Sequence, residues 1–256
     1  MIDLHTHILP GLDDGAQDID DALGLAELAV EGGVYTLVAT PHSNQKGRFE
    51  NYAGDKLQAV YQKLQQEINK EHIPLKVLLG MEIYASEDIK EKIENGLLIG
   101  LNHTKYYLVE FPFECEQYWI GQCLEDILDC GKIPLIAHPE RYMCVQEYPA
   151  LLYEWIRMGC FSQINKGSLF GRFGKRAYAA AHVLMQNQLV TCVASDAHTP
   201  YMRTTYMRDV KEYIEDEYGG KTAVQLLEKN PKKILHGEIL RTHGRPPERR
   251  RRFFCK

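Results

Sequence analysis

The sequence predicts an α/β fold, a seven-stranded (β/α) barrel, on three observations. Short apolar runs alternate with amphipathic stretches along almost the whole chain. The runs are apolar at nearly every position, as strands of a parallel sheet are when both faces are covered. The length, 256 residues, suits one barrel-sized domain. An open doubly wound sheet satisfies the same order of elements and stands as the alternative.

The first strand is predicted over 2–5. A helix follows over 19–30, with Ala22, Leu23, Ala26, Ala29 and Val30 at helical spacing and Gly32-Gly33 to end it. Residues 36–40 (TLVAT) form the second strand. A helix over 56–68 carries Leu57, Val60, Tyr61, Leu64 and Ile68 on one face. The third strand spans 75–83 and a short helix 87–95. The fourth strand is 106–111 (YYLVEF), followed by a helix over 118–130. The fifth strand is 133–137, with a helix near 148–158. The sixth is 161–164, with a helix over 175–186, and the seventh is 189–194. Two or three helices close a single domain of residues 1–240. Residues 241–256 change character: Pro246-Pro247, arginines at 249–252 and Phe253-Phe254 read as a basic, disordered tail. A weak peripheral contact with an anionic membrane, at about 1 kcal/mol per basic residue, is the functional alternative for that tail.

Composition narrows the class. Hydrophobic residues make up 45% and charged residues 25%, as in ordinary soluble globular proteins. A net charge of −5 argues against a nucleic-acid partner. The first residues enter a strand directly, without the basic and apolar regions of a signal peptide. No apolar run approaches the ~20 residues of a membrane span. Seven scattered cysteines form neither a disulfide framework nor a CxxC zinc pair, so a cytoplasmic location is expected.

The chemistry sits at the strand ends. The first strand ends in His5-Thr6-His7, and residues two apart on a strand face the same side. Alone this pair reads equally well as two polar residues leaving a strand. The first loop carries Asp13-Asp14-Gly15; the second strand ends at His42 and the third at Glu82; the fourth holds Glu110. The fifth ends in His138-Pro139-Glu140-Arg141 and the seventh in Asp196-Ala197-His198. A (β/α) barrel collects its active site at this end of its strands, and a lone buried Glu or His there is costly. His5, His7, Asp14, His42, Glu82, Glu110, His138, Asp196 and His198 are therefore candidate metal ligands; a hydrogen-bonded polar core is the competing reading. The set holds imidazole and carboxylate and no thiolate, which suits manganese, iron or zinc. Nine ligands are too many for one ion, so two or three are implied, with Glu82 as a bridge. Such clusters lower the pKa of bound water to about 7 and clamp the oxygens of a displacement, as phosphoester hydrolysis needs. Arg141 and Arg203 are candidates for phosphate oxygens through paired N–H donors, with a surface ion pair as the alternative.

Six stretches carry a family resemblance: MIDLHTHILPGLDDGA, VATPHSN, GMEIY, LVEFPF, IAHPERY and VASDAH, with EKNPKKIL near the end. They resemble the polymerase-and-histidinol-phosphatase (PHP) superfamily. More narrowly, they are similar to the manganese-dependent bacterial protein-tyrosine phosphatases of capsule and exopolysaccharide loci, the CpsB/YwqE type. The resemblance implies a distorted seven-stranded barrel with three metal ions. It implies one ion on His5, His7, Glu82 and Asp196, a second on Glu82, Glu110 and His138, and a third on Asp14, His42 and His198. It places Arg141 and Arg203 as phosphate-binding arginines. It also implies phosphotyrosine on a bacterial tyrosine kinase as substrate, hydrolysed by a metal-bound hydroxide without a phosphoenzyme. No cysteine here is followed by five residues and then the arginine that a cysteine-dependent phosphatase loop requires. A small-molecule phosphatase of the same superfamily, such as one for histidinol phosphate, and a silent kinase-binding module are the rival functions.

Weaker signals remain. The glycine-rich run 167–174 could bring backbone amides and Arg172 to a substrate, or be a turn before a helix. Tyr106 and Tyr107 are expected in the core. Phe113 and Tyr142 read first as packing residues and second as walls for a substrate ring. His72, His103, His182 and His236 are expected away from the site.

Overall fold

Alternation along each strand sorts its side chains between two cores. Ile2, Leu4, Val38, Leu108 and Leu135 face an inner cluster that Ile234, Leu235 and Leu240 close from below. Leu37, Val77, Val109, Ile136, Ile164 and Val193 face the outer cluster, where helix residues such as Leu25, Leu64, Ile120 and Leu184 cover them. Each large side chain buried this way contributes roughly 1.5–3 kcal/mol. Tyr106 and Tyr107 are both buried, as expected.

The protein is described by a computed structural model over residues 1–241 and 244–247. The arginines at 249–252 and Phe253-Phe254 of the basic tail lie outside the described residues. The strands are β1 Ile2–Thr6, β2 Thr36–Ala39, β3 His42–Ser43, β4 Lys76–Leu79, β5 Glu82–Tyr84, β6 Tyr106–Glu110, β7 Ile133–Ala137, β8 Phe161–Asn165 and β9 Cys192–Ala194. The long helices between them are α1 Ile19–Glu31, α2 Asp55–Lys70, α4 Gln117–Asp129 and α8 Gly174–Gln186, with α3 Ile89–Glu94, α5 Met143–Glu147, α6 Ala150–Met158 and α7 Lys166–Leu169 shorter. Helices α9 Arg208–Tyr218, α10 Gly220–Val224 and α11 Asn230–Leu235 finish the fold. Among the described residues no helix is long and apolar enough to cross a membrane.

All strand pairs are parallel. They form two sheets, β1-β2-β4 and β3-β5-β6-β7-β8-β9. The predicted strand over 36–40 stops at Ala39 and resumes at His42, because Pro41 has no N–H for a ladder. The predicted strand over 75–83 breaks at Gly80-Met81. A Cβ on Gly80 would stand 2.8 Å from Leu101 Cδ2 and 3.2 Å from Val38 Cγ1, so only glycine lets the chain bend here without displacing its neighbours. Gly80 N donates to Ala39 O at 2.9 Å and Glu82 N to Pro41 O at 3.2 Å, which carries the pairing across both breaks. At the other margin Thr6 bridges Ala197, and Asp196 N donates to His5 O at 3.0 Å. With β2/β3 and β4/β5 as broken pairs, the nine strands make seven staves round a distorted (β/α) barrel. The breaks re-aim His42 and Glu82 at the C-terminal end, as β-bulges do beside active sites.

Candidate metal centre

All nine sequence-predicted ligands meet at the C-terminal end of the strands, with Glu82 in the middle. His5 Nε2 and His7 Nε2 are 3.2 Å apart. Glu82 Oε2 lies 3.2 Å from each of them and 2.9 Å from His42 Nδ1. Glu82 Oε1 is 2.9 Å from His138 Nε2. Asp196 Oδ1 stands 3.6 and 3.4 Å from the two N-terminal imidazoles. Glu110 reaches to 3.7 Å from both His42 and His138. Asp14 Oδ1 is 3.4 Å from His42 Nε2 and 3.6 Å from His198 Nε2. Four overlapping sets have ligand atoms within 4.8 Å of one another: His5-His7-Asp196, His5-Glu82-His138, His42-Glu82-Glu110 and His7-Asp14-His42-His198. These sets share His5, His7 and His42 more widely than the family grouping does.

The donor geometry fits cations. Glu82 Oε2 is buried and accepts no hydrogen bond, although three imidazole nitrogens face it within 3.2 Å. Two imidazole nitrogens pointed at each other and at a carboxylate oxygen suit a divalent ion with N and O ligands. None of the described cysteines joins these sets.

The electrostatics show a cluster of charges that balance one another. Burial alone would raise the Glu82 and Asp196 carboxyls. The His5 and His42 charges outweigh it at Glu82, and His5 with Arg203 at Asp196, so both are held well below the ordinary carboxylate range. Burial and the neighbouring Glu82 push Glu110 up to about 8. Burial takes His138 down to about 4, and burial with the His7 charge takes His198 down to about 2. Despite burial, the facing carboxylates raise three other imidazoles, Glu82 and Asp196 acting on His5, Asp13 on His7 and Glu82 on His42, so protons on these rings and on Glu110 balance the charge that bound cations would otherwise balance.

Local backbone serves the same end. His138, Asp196 and Arg203 adopt left-handed φ values of 35, 50 and 54°, which cost non-glycine residues energy and cluster at functional sites. A Cβ on Gly15 would fall 2.1 Å from His7 O, so only glycine lets the first loop fold against β1. That loop delivers Asp13, which sequence reasoning passed over for its neighbour Asp14. Asp13 Oδ2 accepts from His7 Nδ1 and from His42 N, each at 2.8 Å. Gln163 Oε1 stands 2.9 Å from His5 Nδ1, and Asn165 donates to Asp196 Oδ2 at 2.5 Å. Neutral amides inside a predicted strand, as Gln163, or just past its end, as Asn165, give no sequence signal. Asp13 is legible only as one of two adjacent acids.

A pocket of about 470 Å³ opens over the cluster, and Arg48, Arg141, Arg203 and Phe113 are among its lining residues. Arg203 pairs with Asp196 Oδ2, and Arg141 Nη1 lies 3.7 Å from the same oxygen. Arg48 is a third cation that the sequence did not single out; it lies 3.4 Å from Asp14 and is well exposed. Tyr142 is no wall for a substrate: it is wholly buried and its hydroxyl donates to Ala137 O at 2.6 Å. Arg172 is exposed and lines no part of this pocket. His72, His103, His182 and His236 belong to none of the four ligand sets.

Comparisons with known proteins place the chain. Residues 1–236 match the profile of a family described as capsular polysaccharide synthesis, CpsB/CapC. The chain is 39% identical over 254 residues to the tyrosine-protein phosphatase YwqE of Bacillus subtilis, covering 99% of each. It is 33% identical over 245 residues to the tyrosine-protein phosphatase CpsB of Streptococcus pneumoniae, covering 94% of this chain and 100% of that one. A crystal structure from work on YwqE and CpsB, described there as unique metal-dependent tyrosine phosphatases, superimposes with a TM-score of 0.91 at 37% identity, covering 98% of this chain and all of the other. The phosphotriesterase homology protein of Escherichia coli shares the fold alone, with a TM-score of 0.59 at 10% identity over 90% of this chain and 97% of that one.

Proposed function

Because this chain belongs to the CpsB/CapC family of capsular polysaccharide synthesis, we propose that it is a metal-dependent protein-tyrosine phosphatase. The observation that carries the proposal is the buried Glu82 Oε2, which accepts no hydrogen bond and faces three imidazole nitrogens under an arginine-lined pocket. His5, His7, Asp14, His42, Glu82, Glu110, His138, Asp196 and His198 would hold two or three divalent ions, with manganese as the native metal ahead of iron or zinc. When bound, the ions supply a water of lowered pKa and neutralise charge on the transferred phosphoryl group.

The chain's own groups do the rest. Arg141 and Arg203 flank Asp196 at the pocket wall and offer paired N–H donors to non-bridging phosphate oxygens. Phe113, more than a third exposed at the pocket, gives an apolar surface for a phenyl ring. Asp13 and Gln163 hold the His7 and His5 rings through their Nδ1 atoms, which leaves each Nε2 aimed at the cluster. Buried cysteines take no part: burial lifts Cys123 and Cys160 to about 12, where a thiolate nucleophile does not form at neutral pH.

The substrate in the cell would be phosphotyrosine on a bacterial tyrosine kinase that regulates capsule or exopolysaccharide synthesis, met in the cytoplasm by a catalytic domain of residues 1–240. The test is phosphate release from a phosphotyrosine peptide by chelator-stripped protein with and without manganese. Turnover restored by manganese is expected. A folded protein inactive in both conditions would remove the assignment.

A further inference from the structure

The two candidate phosphate arginines share an aromatic support that the proposed chemistry does not yet use. The Arg141 guanidinium carbon lies 4.3 Å from the Phe113 ring centre and 4.4 Å from the Phe173 ring centre, so it touches two rings. The Arg203 guanidinium carbon lies 5.6 Å from the same Phe173 ring. Phe173 therefore touches both arginines, although they leave different strands, after β7 and after β9. Such distances fall within the range of cation–π attraction, which is stronger where water is excluded.

The ring is itself held from the catalytic side. Glu140, beside Arg141, is fully buried. Its Oε1 accepts from Ser168 Oγ at 2.6 Å and from Asn165 N at 3.0 Å, which fixes the start of α7. The chain then turns tightly, with Arg172 N donating to Gly167 O at 2.9 Å. A Cβ at Gly167 would stand 2.9 Å from Phe173 Cε2, so the bare backbone of Gly167 forms the seat of the ring. One short stretch, 138–141, thus supplies a metal-ligand candidate, an arginine, and the anchor of the loop that supports that arginine.

We propose that Phe173 is a positioning residue that holds Arg141 and Arg203 at a common height over the site, so that they grip one phosphoryl group together. The proposal rests on the phosphatase reading above. Arginine side chains carry much rotamer freedom, and a ring shared between two of them removes it before the substrate arrives. The glycine-rich run 167–174 then acts through Phe173, not through Arg172 or its amides.

The test compares wild type, Phe173→Ala and Phe173→Tyr in the manganese-loaded full chain, each also in an Arg141→Ala Arg203→Ala background. Two readouts are taken: steady-state turnover of a phosphotyrosine peptide, and the rise in melting temperature with inorganic phosphate. Phe173→Ala is expected to raise KM about tenfold and lower kcat less, with Phe173→Tyr close to wild type. In the arginine-free background the same alanine substitution should have no further effect on KM. A tenfold loss that persists without the arginines would overturn the proposal, as would Phe173→Ala behaving like wild type in both readouts. If wild type shows no turnover, the phosphatase reading fails. The positioning role is then decided by the phosphate-induced thermal shift alone: smaller in Phe173→Ala it stands, equal in both or absent from wild type it falls.

Discussion

Asp13 offers a direct test of how the cluster is held together. Its Oδ2 takes His7 Nδ1 and His42 N at 2.8 Å each, and its Oδ1 takes Gly15 N at 2.9 Å. The substitution Asp13→Asn keeps the size and removes one acceptor. If the amide oxygen keeps the two ring-side donors, the new NH2 faces Gly15 N, donor against donor; if it flips, His7 and His42 lose their acceptor. At least one N–H is orphaned either way, at about 1–3 kcal/mol each. The negative charge that fixes the His7 tautomer is lost as well. Partners of this kind behind a ligating imidazole are worth about 10–100-fold in metal affinity. The expected outcome is a half-saturating manganese concentration raised by that factor, with turnover at saturating manganese largely recovered. Metal titration of phosphate release by chelator-stripped protein measures it, and urea unfolding in chelator measures stability alongside. Stability lowered by the expected amount with an unchanged manganese requirement would refute the reasoning, because Asp13 would then only tie a loop to a strand.

Other perturbations read other parts of the site. Glu82→Gln removes the central negative charge, so bound manganese per chain, measured by elemental analysis, should fall and turnover should drop by about 100-fold or more; full metal content would contradict a ligand role. Arg203→Lys keeps the charge and loses the paired donors, and kcat/KM should fall by about 10–100-fold; an unchanged value would show that this arginine meets only Asp196. Glu140 is pushed up to about 7 by burial, from an ordinary value of 4.5. The unfolded chain thus ionises it first: its stability contribution is full below pH 4.5 and is lost as pH rises through 7, by roughly 3 kcal/mol. In chelated protein, Glu140→Gln should therefore gain stability over wild type between pH 4.5 and 7.5, and a pH-independent difference in denaturation midpoint would count against a raised, buried carboxyl.

The sequence made the strands legible because strands covered on both faces are written as apolar runs, and it made the ligands legible because charge at the end of such a run has few structural uses. It could not show what lies between residues far apart in the chain. The run 75–83 is apolar on both sides of Gly80, so its break depends on Leu101 and Val38 crowding that glycine from elsewhere. The same applies to the first loop: Asp13 and Asp14 are alike in sequence, and it is Asp13 that turns inward to meet His7 Nδ1 and His42 N. The helix predicted near 148–158 is Ala150–Met158, and the short helix Met143–Glu147 before it was not predicted; Tyr148-Pro149 parts the two. Gln163 and Phe173 carry no charge to mark them; each matters through one long-range contact, to His5 and to two arginines. Residues that touch the reaction are thus chosen by their chemistry and can be read from type and spacing. Residues that aim them are chosen by place, and a uniformly buried strand or a glycine-rich turn hides place completely. A barrel sharpens this division, because its strands deliver ligands from every stave to one end while the supports for each ligand come from the neighbouring stave, many residues away.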